Sequence, residues 1–297
     1  MVMLRWLLAK QPRLNFGLFF GGLSSRAVEK YNFSTNAVSI ASSLNFNREG
    51  PAAVGDLSKA IISGGAFTST QEKRIFATDT NSNITSMSTS RAYPSSAGNS
   101  EQAIITSGST SSYISSTQTS EKFLYSTESI SSGTNTSTTA RGKYSFSNLS
   151  YAFFCAGFQG TSPYYTTCDS YEFSTGTVSS ISSLTVARYE GNSGSIQTIS
   201  FGYIAGGYTS SGTATSLAEK YTFSSSLWSS ATSLTSARYV FGSAGNSEIA
   251  ILTCGITSST TNSSLIYTFS SNSYSAGTSL NSARYGLSGV SANPGHL

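Results

Sequence analysis

The sequence predicts an all-β fold: a six-bladed β-propeller of four-stranded antiparallel blades. Three observations carry that expectation. Three landmarks recur six times in fixed order, some of the spacings between them are nearly constant, and the two chain ends hold complementary parts of one unit. A period of roughly 40–50 residues is the mark of repeated supersecondary units that cannot bury their apolar faces alone.

The first landmark is a small or Gly-Gly pair closing an apolar run, at Gly22, Gly65, Gly108, Gly157, Gly207 and Gly255. The second is an aromatic pair or its equivalent, starting at Tyr31, Arg74, Phe123, Tyr171, Tyr221 and Tyr267. The third is an arginine: Arg48, Arg91, Arg141, Arg188, Arg238 and Arg284, spaced 43 to 50 residues apart. From the second landmark to the arginine is 17 residues, except 18 in the copy ending at Arg141. From the arginine to the glycine is 16 or 17, except 19 after Arg188. From the glycine to the next aromatic landmark the gap swings from 9 to 15. A one-residue slip turns every side chain of a strand to the other face, so constant spans are strands with tight turns. The variable span is an exposed loop.

The unit opening at Arg238 shows the elements in order. RYVFGSA is a first strand rich in small residues, GNS a turn, and IAILTCG an apolar second strand. ITSSTTNSS is the variable loop. LIYTF is a third strand with Tyr267 and Phe269 on one face, SSNS a turn, and YSAGTSL the fourth strand. The first turn recurs at Gly55-Asp56, Gly98-Asn99 and Gly245-Asn246, residues that tolerate positive φ. First strands lie innermost, where blades crowd, which suits their Gly, Ala and Ser content. The chain starts at a second strand, NFGLFFGG, and stops after a first strand, ARYGLSGVSA. Pairing these ends completes the sixth blade and removes open edges. Residues 1–13 are expected to be an N-terminal extension and 14–297 the propeller.

Composition fits this reading. Charged residues are 10% of 297, against 17 Tyr and 17 Phe in a Ser/Thr-rich background, which suits short strands with one solvated face. The net charge of +4 comes with no Lys/Arg run, so nucleic acid is not an expected partner. The apolar start is broken by Arg5, Lys10, Pro12 and Arg13, well short of the ~20 apolar residues of a membrane helix. It also makes a poor signal peptide and reads as an extension packing on a neighbour or on the domain. Cys155, Cys168 and Cys254 form no metal-binding pair. Cys155 and Cys254 lie in apolar strand-like segments, where a free thiol acts as a small hydrophobe, and a Cys155–Cys168 bridge across one loop is an alternative that leaves the redox state open.

The order Arg, apolar strand, Gly-Gly, variable loop, Glu-x-Tyr-x-Phe, then Trp resembles the kelch repeat and the galactose-oxidase type of propeller over roughly residues 14–297. The best copy holds Gly206-Gly207, Glu219, Tyr221, Trp228 and Arg238. The Trp place holds Val38, Asn81, Ile130, Val178 and Tyr274 elsewhere, and one Gly of the pair is lost three times. The Ser/Thr-rich, low-charge style looks like kelch-like proteins of phages and bacteria. The resemblance implies a propeller; members include a copper oxidase, peptide-binding adaptors and structural proteins.

A galactose-oxidase-like copper centre needs two histidines, whereas this chain has only His296. Zinc chemistry and a Ser/His/Asp triad fail on the same count, so no cofactor or metal is expected. Among the carboxylates, Glu29, Glu72, Glu121, Asp169 and Glu219 occupy one place in the repeat, which argues for scaffolding. Glu49 and Glu190 each lie within two residues of a repeat arginine and so approach one face. The six arginines are expected to tie neighbouring blades together through carbonyls or the repeat acid. The variable loops should share a face with the fourth-to-first connections, and there Tyr113, Phe158, Tyr164, Tyr165 and Tyr208 are the candidate ligand-binding residues. Tyrosines among Ser, Thr and Gly combine rigid contact area with adaptable hydrogen bonds. Trp6, Leu7 and Leu8 are candidate docking residues for a partner.

The expected function is therefore a non-enzymatic structural or binding module on a virion or cell surface. It would mediate assembly with other structural proteins, or attachment to a host-surface glycan or receptor, without spanning a membrane. Two rivals stand beside it: a carbohydrate-active enzyme using loop-face carboxylates, and a cytoplasmic adaptor holding an acidic peptide against the arginines.

Overall fold

The computed structural model describes residues 14–194 and 196–292. It is a six-bladed propeller with no helix among the described residues. Blade one joins both ends of the chain: Leu287–Ser291 pairs antiparallel with Phe16–Gly21, followed by Val28–Asn32 and Val38–Ala41. Blades two, three and four run Ala52–Gly55 to Thr80–Ile84, Ser95–Gly98 to Ser129–Gly133, and Tyr144–Ser147 to Val178–Ile181. Blade six runs Phe241–Gly245 to Ser273–Gly277. Among the described residues no helix is long and apolar enough to cross a membrane.

Blade five shows three paired strands among the described residues. Its sheet holds Phe201–Ala205, Ala218–Thr222 and Leu227–Ala231. Among the described residues, the innermost segment meets this sheet at the Gln197–Gly202 bridge, while Asn192–Ser193 pairs in parallel with Phe241–Gly245 of blade six. This is the copy with 19 residues between arginine and glycine. The extra length cannot fit the hairpin register and is taken up by the inner segment.

The core lies between blades, where second and third strands of adjacent sheets face each other in separate apolar clusters. Inner strands are buried throughout blades two, three, four and six. Serine hydroxyls stitch their backbones together, as where Ser145 donates to the Ser96 carbonyl at 2.8 Å and Ser147 to that of Gly98 at 2.7 Å.

The positive φ expected of the Gly-Asn and Gly-Asp first turns is not found there. Positive φ falls in the third-to-fourth-strand turns instead, at Asn36, Asp79, Glu128, Gly176, Ser226 and Asn272. In the first turns the side chain closes the loop. Asn99 Oδ1 accepts from the Glu101 and Gln102 amides at 2.9 and 3.0 Å, and Asp56, Asn148 and Asn246 repeat the arrangement. The preceding Gly98 is needed for close approach, since a Cβ there would meet the Gln102 carbonyl at 2.6 Å.

The glycine pair has a sharper cause. Its first member has φ near 63° in every blade, a left-handed conformation that Ser107, Ala156 and Cys254 also adopt. Its second member lies at φ 89° to 110°, where only glycine is found. The pair is therefore degenerate at its first position and fixed at its second.

Five arginines clamp blades as expected. Arg48 donates to Glu72 at 3.0 and 3.1 Å and to the Gly64 and Thr70 carbonyls. The same acid accepts the Asn45 amide of the preceding blade's connection at 2.6 Å. Arg91–Glu121, Arg188–Glu219 and Arg284–Glu29 repeat the pair, while Arg238 bonds the Cys254 and Ser263 carbonyls. All five are buried, so they do not form a basic surface for an acidic peptide. Cys155, Cys168 and Cys254 are free and buried, with Cys155 directly opposite Cys168 across two strands.

Candidate functional site

The sixth arginine breaks the pattern. The clamp position of blade four is Ala140, whose carbonyl accepts the Gly108 amide at 2.8 Å just as that of Arg91 accepts Gly65. Arg141 stands one residue later, in the copy whose spacing is 18 rather than 17. Lys143 takes over the clamp: its buried ammonium lies 3.9 Å from Asp169 and 3.0 Å from Thr136 Oγ1. Burial pushes the Lys143 amine down to about 8, against the opposing pull of Asp169.

Released from scaffolding, Arg141 turns to the centre of the loop face. Its guanidinium pairs with Glu190 and sits 5.2 to 5.7 Å from the centroids of Tyr189, Tyr113, Tyr93 and Phe158. Such placement over aromatic faces favours a cation. Glu190 is also within the field of Glu49, which accepts from the Tyr93 hydroxyl at 3.1 Å. Burial holds the Glu190 carboxyl up to about 7, Arg141 pulling it down and Glu49 adding a smaller push upward. Burial also raises the Tyr93 hydroxyl well above its ordinary range.

A closed backbone ring supports this centre. The Gly50 amide donates to Gly286, Tyr93 to Gly50, Gly142 to Tyr93, Glu190 to Gly142, Val240 to Glu190 and Gly286 to Val240, at 2.5 to 3.1 Å. All six residues are left-handed, with φ from 48° to 65°. Glycine at 50 and 142 leaves space for its neighbours, because a Cβ would strike the Tyr93 ring at 2.7 Å or Glu190 Cγ at 2.5 Å. Left-handed Tyr93, Glu190 and Val240 carry a backbone cost that the ring bonds hold in place. Beneath the ring the axial cavity is about 30 Å³, bounded by Tyr93, Lys143, Glu190 and Leu287 among others. That leaves room for a water molecule or two.

Around the centre the rings form an arc. Phe67 lies 4.9 Å from Tyr113, Phe158 4.4 Å from Tyr164 and 4.8 Å from Tyr189, and Tyr208 bridges Tyr189 and Tyr239 at 6.1 and 5.1 Å. Of the residues expected from sequence, Tyr113, Phe158, Tyr164 and Tyr208 fall on this arc. Phe158 is buried within it, whereas Tyr113 is 41% exposed. Tyr165 is half-buried and donates its hydroxyl to Gln159 at 3.0 Å. Trp6, Leu7, Leu8 and His296 lie outside the described residues. Sequence reasoning missed Arg141, Tyr93, Tyr189 and Tyr239. The 18-residue spacing was the signal for Arg141; Tyr189 and Tyr239 directly follow repeat arginines, Tyr93 stands two residues after one, and all three look like part of the unit. Among the described residues no group of three or more His, Cys, Asp or Glu could hold a metal ion.

No family model matches the chain, and no curated protein matches it by sequence. Solved structures do match. The chain superposes on the structure of YjhT with a TM-score of 0.72 at 11% identity, covering 89% of this chain and 95% of that one. At that identity the likeness carries the propeller fold alone.

Proposed function

We propose that the chain is a kelch-like binding propeller, without catalytic activity, that attaches to a glycan or receptor through its loop face. The observation that carries this reading is Arg141, freed from its scaffolding position and held among four aromatic rings at the centre of that face. An aromatic arc rimmed by Ser and Thr hydroxyls suits stacking against sugar faces. The solvated Ser/Thr-rich exterior supports a place on a virion or cell surface, among other structural proteins of an assembly. A glycan-binding screen on the wild-type chain and on Tyr164→Ala, Tyr208→Ala and Arg141→Met tests it. The expected outcome is a bound glycan whose affinity falls about tenfold in each folded variant, since an aromatic contact is worth about 0.5–1.5 kcal/mol beyond its area and Arg141 holds the rings in place. Binding unchanged in all three would reject the face.

One observation favours a second reading, a carbohydrate-active enzyme. Glu49 and Glu190 come from different blades, interact with each other, and Glu190 sits near neutrality as a general acid must. Glycan hydrolysis that disappears in Glu190→Gln with folding intact would establish it over the binding module.

A further inference from the structure

A second cleft opens on the opposite, turn-bearing side of the ring, between the outer strands of blades four and five. It has a volume of about 330 Å³ and is lined by Tyr151, Phe153, Ser170, Glu172, Phe223 and Ser226 among others. The repeat itself shows what belongs there. In the third strand, the residue opposite Leu18, Ile61, Ile104 and Tyr203 is Lys30, Lys73, Lys122 and Lys220 in blades one, two, three and five. The ammonium of Lys30 sits 4.8 Å from the centroid of Phe16, and that of Lys220 sits 5.1 Å from Phe201. Lys73 instead crosses to Glu128 of the next blade at 2.6 Å. In blade six Ile266 takes the place and packs against apolar neighbours.

Blade four alone puts a small residue there, Ser170, opposite Phe153. Its equivalent of Phe16 and Phe201 is Tyr151, which is 36% exposed. A second change accompanies the first. The residue paired with Tyr151 is Glu172, where the other blades hold Asn32, Ile75, Leu124, Thr222 and Thr268. Blade four has thus lost a cation and gained an anion at one spot. The Glu172 carboxylate accepts from Ser174 and Thr175 hydroxyls and has no ion pair among the described residues. An adjoining cleft of about 420 Å³ shares Tyr151 and Glu172 and adds a second carboxylate, Glu101.

We propose that this cleft is a binding site for a lysine side chain presented by a partner protein. The ammonium enters where the propeller's own lysine is missing, lies against the Tyr151 ring and pairs with Glu172, while its methylenes cover Phe153 and Phe223. The two rings at the floor are already stacked, 5.4 Å apart at 21°, so the apolar wall needs no rearrangement. The site is independent of the loop face and of what binds there.

The test is titration of the full chain with Nα-acetyl-lysine N-methylamide and with its norleucine counterpart, followed by amide chemical shifts. The lysine compound is expected to shift the resonances of Tyr151 and Glu172, and the norleucine compound to bind about tenfold more weakly or not at all, the factor for losing one charged contact. Ser170→Lys restores the lysine of the repeat and is expected to abolish binding without lowering the melting temperature. Glu172→Lys offers the same readout should Ser170→Lys fail to fold. Loop-face glycan binding should persist in both. The proposal is overturned by absence of lysine binding, by equal binding of norleucine, or by undiminished binding in the folded lysine variants.

Discussion

Buried arginine makes the same side chain scaffolding in five blades and frees it in one. Removing one partner of a buried pair leaves an uncompensated charge, at a cost of about 3–5 kcal/mol. Arg91→Met, which strands Glu121, is therefore expected to destabilise the chain by that amount in denaturant unfolding. Arg141→Met should cost less, because Glu190 can take up a proton. Glu190 also sets a pH dependence. Its folded value, about 7, lies above the ordinary 4.5, so the folded state holds the proton more tightly across that window. Stability from this group is complete below about 4.5 and is lost as pH rises towards 7, by up to about 3 kcal/mol. Glu190→Gln is expected to flatten that fall, as read from melting temperatures between these pH values. A Glu190→Gln profile that parallels the wild type would show that the carboxyl titrates normally.

Elements follow rules that the repeat exposes by comparison. The arginine clamps and the glycine pair were legible because strict spacing repeats whatever geometry requires. Which glycine mattered was not legible, because both look alike as letters. Only the backbone separates φ near 63°, open to Ser107, from φ 100° at Gly108. Gly108→Ala, whose Cβ would stand 3.0 Å from the Ala92 carbonyl, is expected to cost about 1–3 kcal/mol. Ser107→Gly at the neighbouring position should cost less than about 1 kcal/mol, and paired thermal melts measure both. The 19-residue span of blade five signalled extra length in its inner segment, but not the parallel pairing of that segment with blade six. Length says that residues must be accommodated, and the neighbouring sheet edge decides where.

At the scale of the molecule, the ring is closed by Leu287–Ser291 on Phe16–Gly21, five residue pairs joining opposite ends of the chain. Deleting residues 287–297 would uncover the Phe16–Gly21 edge, whose residues are all buried in the intact ring. The truncated chain is expected to associate or aggregate and to melt at a lower temperature than the intact chain, as size-exclusion chromatography and calorimetry would report. The sequence by itself determined the blade count, the strand order, the closure and the face carrying the variable loops, because each is a matter of period and register. It also placed Tyr113, Phe158, Tyr164 and Tyr208 on that face. Only the tertiary structure decided that Arg141 leaves its clamp to Lys143, that six left-handed residues close the axis, and that Ser170 and Glu172 open a cleft. Each depends on residues from different blades meeting in space. A one-dimensional pattern cannot show what fills a place that one copy leaves empty.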